Sequence, residues 1–293
     1  MLFFSPLMFS LSRVPAFAAL ALALLVGSVA AGGCSGSGKV SASTAQEAFN
    51  KGTDAYENEN YDRAVSYFRK VFTYGRENEW ADDAQLYLAR SYRENERYLM
   101  AANQFKRFAQ LYRSDERAAR AQYERALALY RLSPDYELDQ TQTKKALNRF
   151  RLFTDRYPQH EKTAAAEKKI NELRGKLARK QLAAGRQYER RELWEAAAHA
   201  YAGVFDQYPD TRWVDEALLG SVRANVSYAE RSIQKKKAER YRRAVESYQR
   251  LKQIFPDSPL LDEAEPLHET ASKRLDALEE GNEADETLAG AEG

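Results

Sequence analysis

The sequence predicts an all-α protein: a superhelix of about five helix pairs closed by a C-terminal capping helix. Three observations carry this. Apolar residues recur at i, i+4, i+7 and i+11, the stripe that one helix face presents, and that stripe occurs five times. Breakers are sparse, with 14 Gly and 8 Pro in 293 residues, so long segments run uninterrupted. Sustained alternation of apolar and polar residues is missing, as are Asn-Gly hairpin signals, which removes the sheet alternatives.

Composition bounds the class. Lys and Arg total 45 against 43 Asp and Glu, a formal charge of +2 with 30% charged residues. A polytopic membrane protein, a collagen-like chain and a disulfide scaffold are excluded, the last by a single Cys. The 18 Tyr, 13 Phe and 3 Trp offer ample surface to bury, against global disorder. Near-neutral charge supplies no drive toward nucleic acid, so no such partner is expected.

Residues 1–33 read as an address. They hold one charge, Arg13, and no acid. Residues 14–31 are uncharged and long enough to span a bilayer. Pro15 and the small residues Gly27-Ser28 and Ala30-Ala31-Gly32-Gly33 favour a secretory signal peptide instead. Its start is Met1 or Met8. The lone Cys34 follows, and Ala31-Gly32-Gly33-Cys34 resembles the lipobox of bacterial lipoproteins, departing at Ala31, where Leu is commonest. The resemblance implies a diacylglycerated thiol, cleavage before Cys34 and acylation of the new amine. Ser35 rather than Asp implies sorting to the outer membrane. The alternative is an ordinary signal with an incidental cysteine. Several acyl chains exceed the two signals that stable anchoring needs. Residues 34–44 read as a Gly/Ser tether. Gly33 to Lys39 also fits Gly-x4-Gly-Lys, but Val40 replaces the Mg²⁺-ligating hydroxyl and no strand precedes it, so nucleotide binding is not expected.

The folded part is expected over 45–278. Its five stripes are Ala64, Phe68, Val71 with Tyr74; Ala101, Phe105, Phe108, Tyr112; Ala146, Phe150, Phe153, Tyr157; Ala197, Tyr201, Val204, Tyr208; and Ala244, Tyr248, Leu251, Phe255. Pro158, Pro209 and Pro256 follow the last aromatic in three copies and stop the helix, because a residue before proline is pushed out of the α region. An amphipathic stretch precedes each stripe, with small residues at Gly52, Ala89, Ala126 and Gly185 where a neighbouring aromatic can lie against the backbone. This resembles the tetratricopeptide repeat, whose helix pairs build a right-handed superhelix. The alanine anchors are 37, 45, 51 and 47 residues apart, so each step exceeds the 34-residue unit. The second excess holds Ser133 to Gln140, a loop by composition. The third falls in 161–191, read as an extended helix or a long helix pair. The fourth includes the charge run Lys235-Lys236-Lys237. Repeats 45–158 and 159–278 form N- and C-terminal halves, with Leu260, Leu261, Ala264, Leu267, Leu275 and Leu278 marking the cap. Residues 279–293, acidic and without a base, read as a disordered tail.

Tyr123 to Leu127, then Asp139-Gln140-Thr141-Gln142-Thr143-Lys144-Lys145-Ala146-Leu147-Asn148-Arg149-Phe150 and Tyr157-Pro158, resemble the third repeat of the BamD (YfiO/ComL) family of outer-membrane β-barrel assembly lipoproteins. Ala196-Ala197 and Asp206 to Thr211 are similar to its fourth repeat. The resemblance covers about residues 34–275. Lys235–Lys237 and the acidic tail depart from it. It implies a periplasm-facing lipoprotein of the outer membrane that binds the POTRA domains of a BamA-like barrel protein and recognises unfolded barrel precursors through its N-terminal repeats.

First helices line the inner face of such a superhelix. Phe49 and Tyr56, then Leu86, Arg90 and Arg93, then Tyr123, Leu127 and Tyr130 are the candidate peptide groove. Arginine offers a planar fork to a terminal carboxylate, and tyrosine rings offer contact area at low entropic cost. The basic segment from Lys168 to Arg191 is either a solvated face with its interleaved glutamates or a dock for an acidic partner or lipid headgroups. Catalytic signatures are missing, and His160, His199 and His268 are isolated. No enzyme activity, metal or cofactor is expected beyond the covalent lipid on Cys34. The competing reading is a lipid-anchored repeat adapter for division, peptidoglycan or polysaccharide export.

Overall fold

A computed structural model describes the backbone of residues 40–291 and side chains to Gly281. The signal segment, Cys34 and the Gly33–Lys39 loop lie outside the described residues. From Ala42 on the chain forms one compact unit. Its helices pair as α1 (Ala45–Glu57) with α2 (Tyr61–Val71), α3 (Ala81–Glu94) with α4 (Tyr98–Leu111), α5 (Arg117–Arg131) with α6 (Thr141–Arg156), α7 (Thr163–Arg190) with α8 (Trp194–Gln207), and α9 (Val214–Glu230) with α10 (Gln234–Ile254). α11 (Leu261–Ala291) packs on α10 and α9 and closes the array. Each helix packs chiefly on its chain neighbours, the local stacking of a repeat superhelix.

The helix ends follow from the sequence. Thr44 accepts the Glu47 N–H at 3.1 Å, and Glu47 reaches back to the Ser43 N–H at 2.7 Å, a capping box shifted by one residue. Lys51 and Ser43 hold the Glu47 carboxyl down at about 2. At the other ends, Tyr157, Tyr208 and Phe255 cap α6, α8 and α10, each N–H donating back one turn at 2.9 Å, directly before the three prolines. Glu59, Glu96 and Glu192 turn the chain between partner helices with φ of 57°, 55° and 56°. The following N–H groups of Asn60, Arg97 and Leu193 then bond to Ala55, Tyr92 and Tyr188, a Schellman closure that left-handed residue makes possible.

The core is the set of stripes. The Ala, aromatic and third apolar residue of all five copies are at most 3% exposed. The aromatic meets a residue with little or no side chain. A Cβ on Gly52 would stand 2.7 Å from the Phe68 ring. Tyr201 is held from two sides: a Cβ on Gly185 of α7 would stand 2.5 Å from its ring, and one on Gly220 of α9 2.7 Å. Its hydroxyl donates to Glu189 at 2.5 Å, and burial with that carboxylate pushes the phenol far up.

The third insertion is one 28-residue helix, α7. Leu173 and Leu177 join the core of the first repeats, while Ala178 and Leu182 join the core of the fourth. α7 therefore joins the predicted halves. Its cations divide: Lys168 and Arg190 are exposed, Lys169 pairs with the interleaved Glu172 at 2.8 Å, and others bind elsewhere in the chain. Lys176 donates to the Pro134 carbonyl at 2.8 Å and Lys180 to the Leu138 carbonyl at 2.9 Å, pinning the second-insertion loop. Arg174 binds Asp210 at 2.9 Å, Arg186 pairs with Glu216, and Arg179 lies over Tyr136 and Trp213. Buried Gln140 completes the loop, donating to Asp135 and Leu138 and accepting from Thr143. The Lys235–Lys237 run is the first turn of α10. The tail expected to be disordered from 279 is helical backbone to Ala291. Alanine, leucine and glutamate favour helix there, and Arg242 pairs with Glu279.

The ring contact at Gly220 gives a test. Gly220→Ala should lower stability by about 1–3 kcal/mol through overpacking on Tyr201. Gly281→Ala, with nothing within 4 Å, should raise it by up to about 1 kcal/mol through helix propensity. Urea midpoints of the two variants should move in opposite directions.

Candidate peptide-binding site

First helices share one face, and a recess of about 400 Å³ opens on it. Tyr56 of α1, Leu86, Arg90 and Arg93 of α3, and Arg117, Arg120 and Glu124 of α5 line it, with Phe105 of α4 beneath. Four of the eight predicted groove residues therefore come together. Tyr56 is held edge-on by Tyr61 and Tyr87, with ring centroids 5.6 and 5.5 Å away. Burial pushes its phenol up, so it stays a neutral donor.

The other four are packing residues first. Phe49 lies among Phe68, Trp80 and Tyr87, with centroids 5.9, 5.1 and 5.8 Å away. Tyr123 is 8% exposed against Phe150 and Phe153. Leu127 packs on the same core. Tyr130 donates to Glu172 of α7 at 2.7 Å, with Lys169 over its ring at 4.4 Å. None of these lines the recess. An apolar helix stripe is wider than one seam, so aromatic positions flanking the inner face rotate toward the next helix.

The charges of the recess are unevenly paired. Glu124 is 8% exposed and accepts from Arg93 at 2.6 Å and from Arg120 at 3.2 Å. Burial opposes the Arg93 charge, but Glu94 and Glu124 outweigh it and hold the guanidinium protonated. Arg117 binds Asp115 and Asp82 at 2.6 Å each, and Asp83. Those carboxylates, Asp115 first, push Arg117 far up, and Arg117 holds the Asp115 carboxyl down. Arg90 differs. It lies 5.2 Å over the Tyr87 ring, and among the described residues no carboxylate pairs with it. The recess therefore presents one uncommitted guanidinium beside an aromatic and aliphatic wall, suited to a carboxylate with an apolar neighbour. Arg117, Arg120 and Glu124 were not among the predicted residues; the Arg120–Glu124 spacing of four on α5 was their signal.

A wider recess of about 960 Å³ opens on the face of second helices, between α8 and α10 with α9 as floor. Ser221 and Ser247 share a hydrogen bond of 3.0 Å there, and the Trp194 indole N–H is buried without an acceptor. His199 lines this groove, while His160 packs on Phe153 and His268 stacks on Tyr248. Among the described residues no His, Cys, Asp or Glu group is arranged to hold a metal ion, and no helix is long and apolar enough to cross a membrane.

The family described as outer membrane lipoprotein (YfiO) matches residues 41–240. The chain belongs to the BamD (YfiO) family. It is 30% identical over 210 residues to the outer membrane protein assembly factor BamD of Caulobacter vibrioides, covering 70% of this chain and 68% of that protein. The BamD of Rickettsia prowazekii is 28% identical over 170 residues, 58% of this chain and 68% of its own. Among solved structures, a TPR-repeat protein from Bacteroides fragilis aligns over 80% of this chain and 100% of its own, at 14% identity and a TM-score of 0.43. The family match takes in the recess and the Gln140 loop alike.

Acid should read the Arg117 cluster. Asp115 has a folded pKa below its unfolded value, so its stabilisation is present above about pH 4 and is lost as pH falls through the folded value. Arg117→Gln removes the cause. Between pH 6 and about pH 3 the wild type should lose more stability in urea titrations than the variant does.

Proposed function

We propose that this protein is a non-catalytic scaffold of outer-membrane β-barrel assembly, anchored by acylated Cys34 to the outer membrane with its repeats on the periplasmic side. The first-helix recess holds an unfolded barrel precursor by its C-terminal segment. The POTRA domains of a BamA-like barrel protein dock elsewhere on the superhelix, and the groove between α8 and α10, lined by Trp194 and His199, is open to them.

The observation that carries the reading is Arg90. Its neighbours Arg93, Arg117 and Arg120 are neutralised within the chain, while Arg90 faces the recess over Tyr87. A peptide ending in an aromatic residue meets Tyr56 and Leu86 with its side chain and Arg90 with its carboxylate. Membership in the BamD family, whose members are named assembly factors, supports the same role.

Arg90→Glu in the full chain should weaken binding of such a peptide by about 10- to 100-fold, the worth of a charge-assisted hydrogen bond, with the far-ultraviolet spectrum unchanged. Arg93→Glu is the poorer probe, since it sets a second carboxylate against buried Glu124 and destabilises the fold. Purification from native membranes should bring down a POTRA-bearing barrel protein. Unchanged peptide affinity, or recovery of cell-wall or export enzymes instead, would overturn the proposal.

A further inference from the structure

The second-helix face of the first two repeats carries a recess of another kind. It has a volume of about 400 Å³ and lies between α2 and α4 over α3. Arg69, Arg76 and Arg107 line it, with Phe72 and Leu88 as apolar floor. Gln85 and Gln104, which also line it, bond to one another at 2.9 Å. All three arginines are exposed. Arg69 lies 5.7 Å from the Tyr92 ring and Arg76 5.7 Å from Phe72. Among the described residues no carboxylate pairs with any of them. Glu77 and Glu79 follow Arg76 in the chain, but no acid lines the recess. Lys70 and Lys106 stand beside Arg69 and Arg107 in sequence. This contrasts with the first-helix recess, where three of four arginines are already bound to carboxylates.

The position of the recess matters as much as its charge. Tyr74, between Thr73 and Arg76 of the lining, donates its hydroxyl to the Ala42 carbonyl. Ala42 therefore fixes the chain's point of entry next to the recess. Cys34 is eight residues upstream, and an extended chain spans at most about 3.5 Å per residue, or about 28 Å. Whatever surface holds Cys34 is therefore no more than about 28 Å from Ala42.

We propose that Arg69, Arg76 and Arg107 dock on anionic lipid headgroups of the membrane surface in which Cys34 is anchored, so that the first repeats lie with their second-helix face on the bilayer. This rests on the lipid-anchor reading of Cys34. Each arginine donates a planar fork of N–H groups to phosphate oxygens. The acyl chains supply retention, and the arginines supply orientation. The consequence is functional: the recess with Arg90, on the opposite face, is turned away from the bilayer toward the periplasm.

The test uses the full chain, processed and acylated in cells, with Gln110→Cys as the one thiol left for a fluorophore. Gln110 is exposed on α4, three residues past Arg107. The protein is reconstituted into vesicles of phosphatidylcholine alone or of phosphatidylcholine mixed with phosphatidylglycerol, each containing a headgroup quencher. Quenching should be stronger with phosphatidylglycerol. It should reverse as salt rises from 0.1 to 1 M and the Debye length shrinks from about 10 to about 3 Å. Substituting Arg69→Gln, Arg76→Gln and Arg107→Gln should weaken the docking equilibrium constant about fivefold for each arginine, roughly a hundredfold together. Equal quenching on neutral and anionic vesicles would overturn the proposal before any variant is made, and so would a triple variant with intact helicity that quenches like wild type. Flotation with neutral vesicles reads the anchor separately: its loss strikes the acylation of Cys34, while the dependence on phosphatidylglycerol still decides the role of the arginines.

Discussion

An aromatic ring pressed against a residue with almost no side chain is the contact on which the rest of this structure depends. Helices approach to the distance their contact residues allow. A glycine under Phe68, and one on each side of Tyr201, bring α1 onto α2 and hold α8 between α7 and α9. The alanine one turn before each ring is fully buried for the same reason. Because Tyr201 is clasped from both neighbouring helices, its contact belongs to two repeats at once. That sharing, together with α7 running from one core into the next, makes the repeats one body rather than beads on a string.

Pairing of this kind gives the molecule two faces with different chemistry. First helices gather Tyr56, Leu86 and Arg90 from two repeats into one recess. The arginines around it are consumed by Glu124 and the aspartates of α3 and the α4–α5 turn, which rigidifies the rim and leaves one cation exposed to a ligand. Second helices leave gaps over α3 and over α9. The first gap is basic and adjoins the chain's entry at Ala42; the second is floored by polar residues. The scaffold proposed above, with a precursor, a partner and a membrane to hold, would need such separate surfaces.

The fold was legible because its signal is repeated. Five stripes of alanine, aromatic and apolar residue marked the second helices, and Pro158, Pro209 and Pro256 marked their ends. Other features needed the third dimension. Lys176 and Lys180 look like solvent-facing cations on a helix, yet their partners are backbone carbonyls some forty residues earlier, which leave no trace in local sequence. Phe49 and Tyr123 share the spacing of groove residues, but their rings fill gaps between helices. Arg90 and Arg93 stand on the same helix face; adjacent Glu94 and the approach of α5, bringing Glu124, separate the spent arginine from the available one. Gln140 stood in the segment that pointed to the family, and its burial shows why that residue type matters there: an amide can donate and accept within one loop.

Site-specific photo-cross-linking in cells making the full chain reads whether precursors enter the first-helix recess. A photoreactive residue at position 56 lies in the first-helix recess, and one at position 103 lies exposed on α4, on the opposite face. The proposed function requires adducts with unfolded barrel precursors from position 56 and not from position 103. Precursor adducts from position 103 with none from position 56 would contradict it.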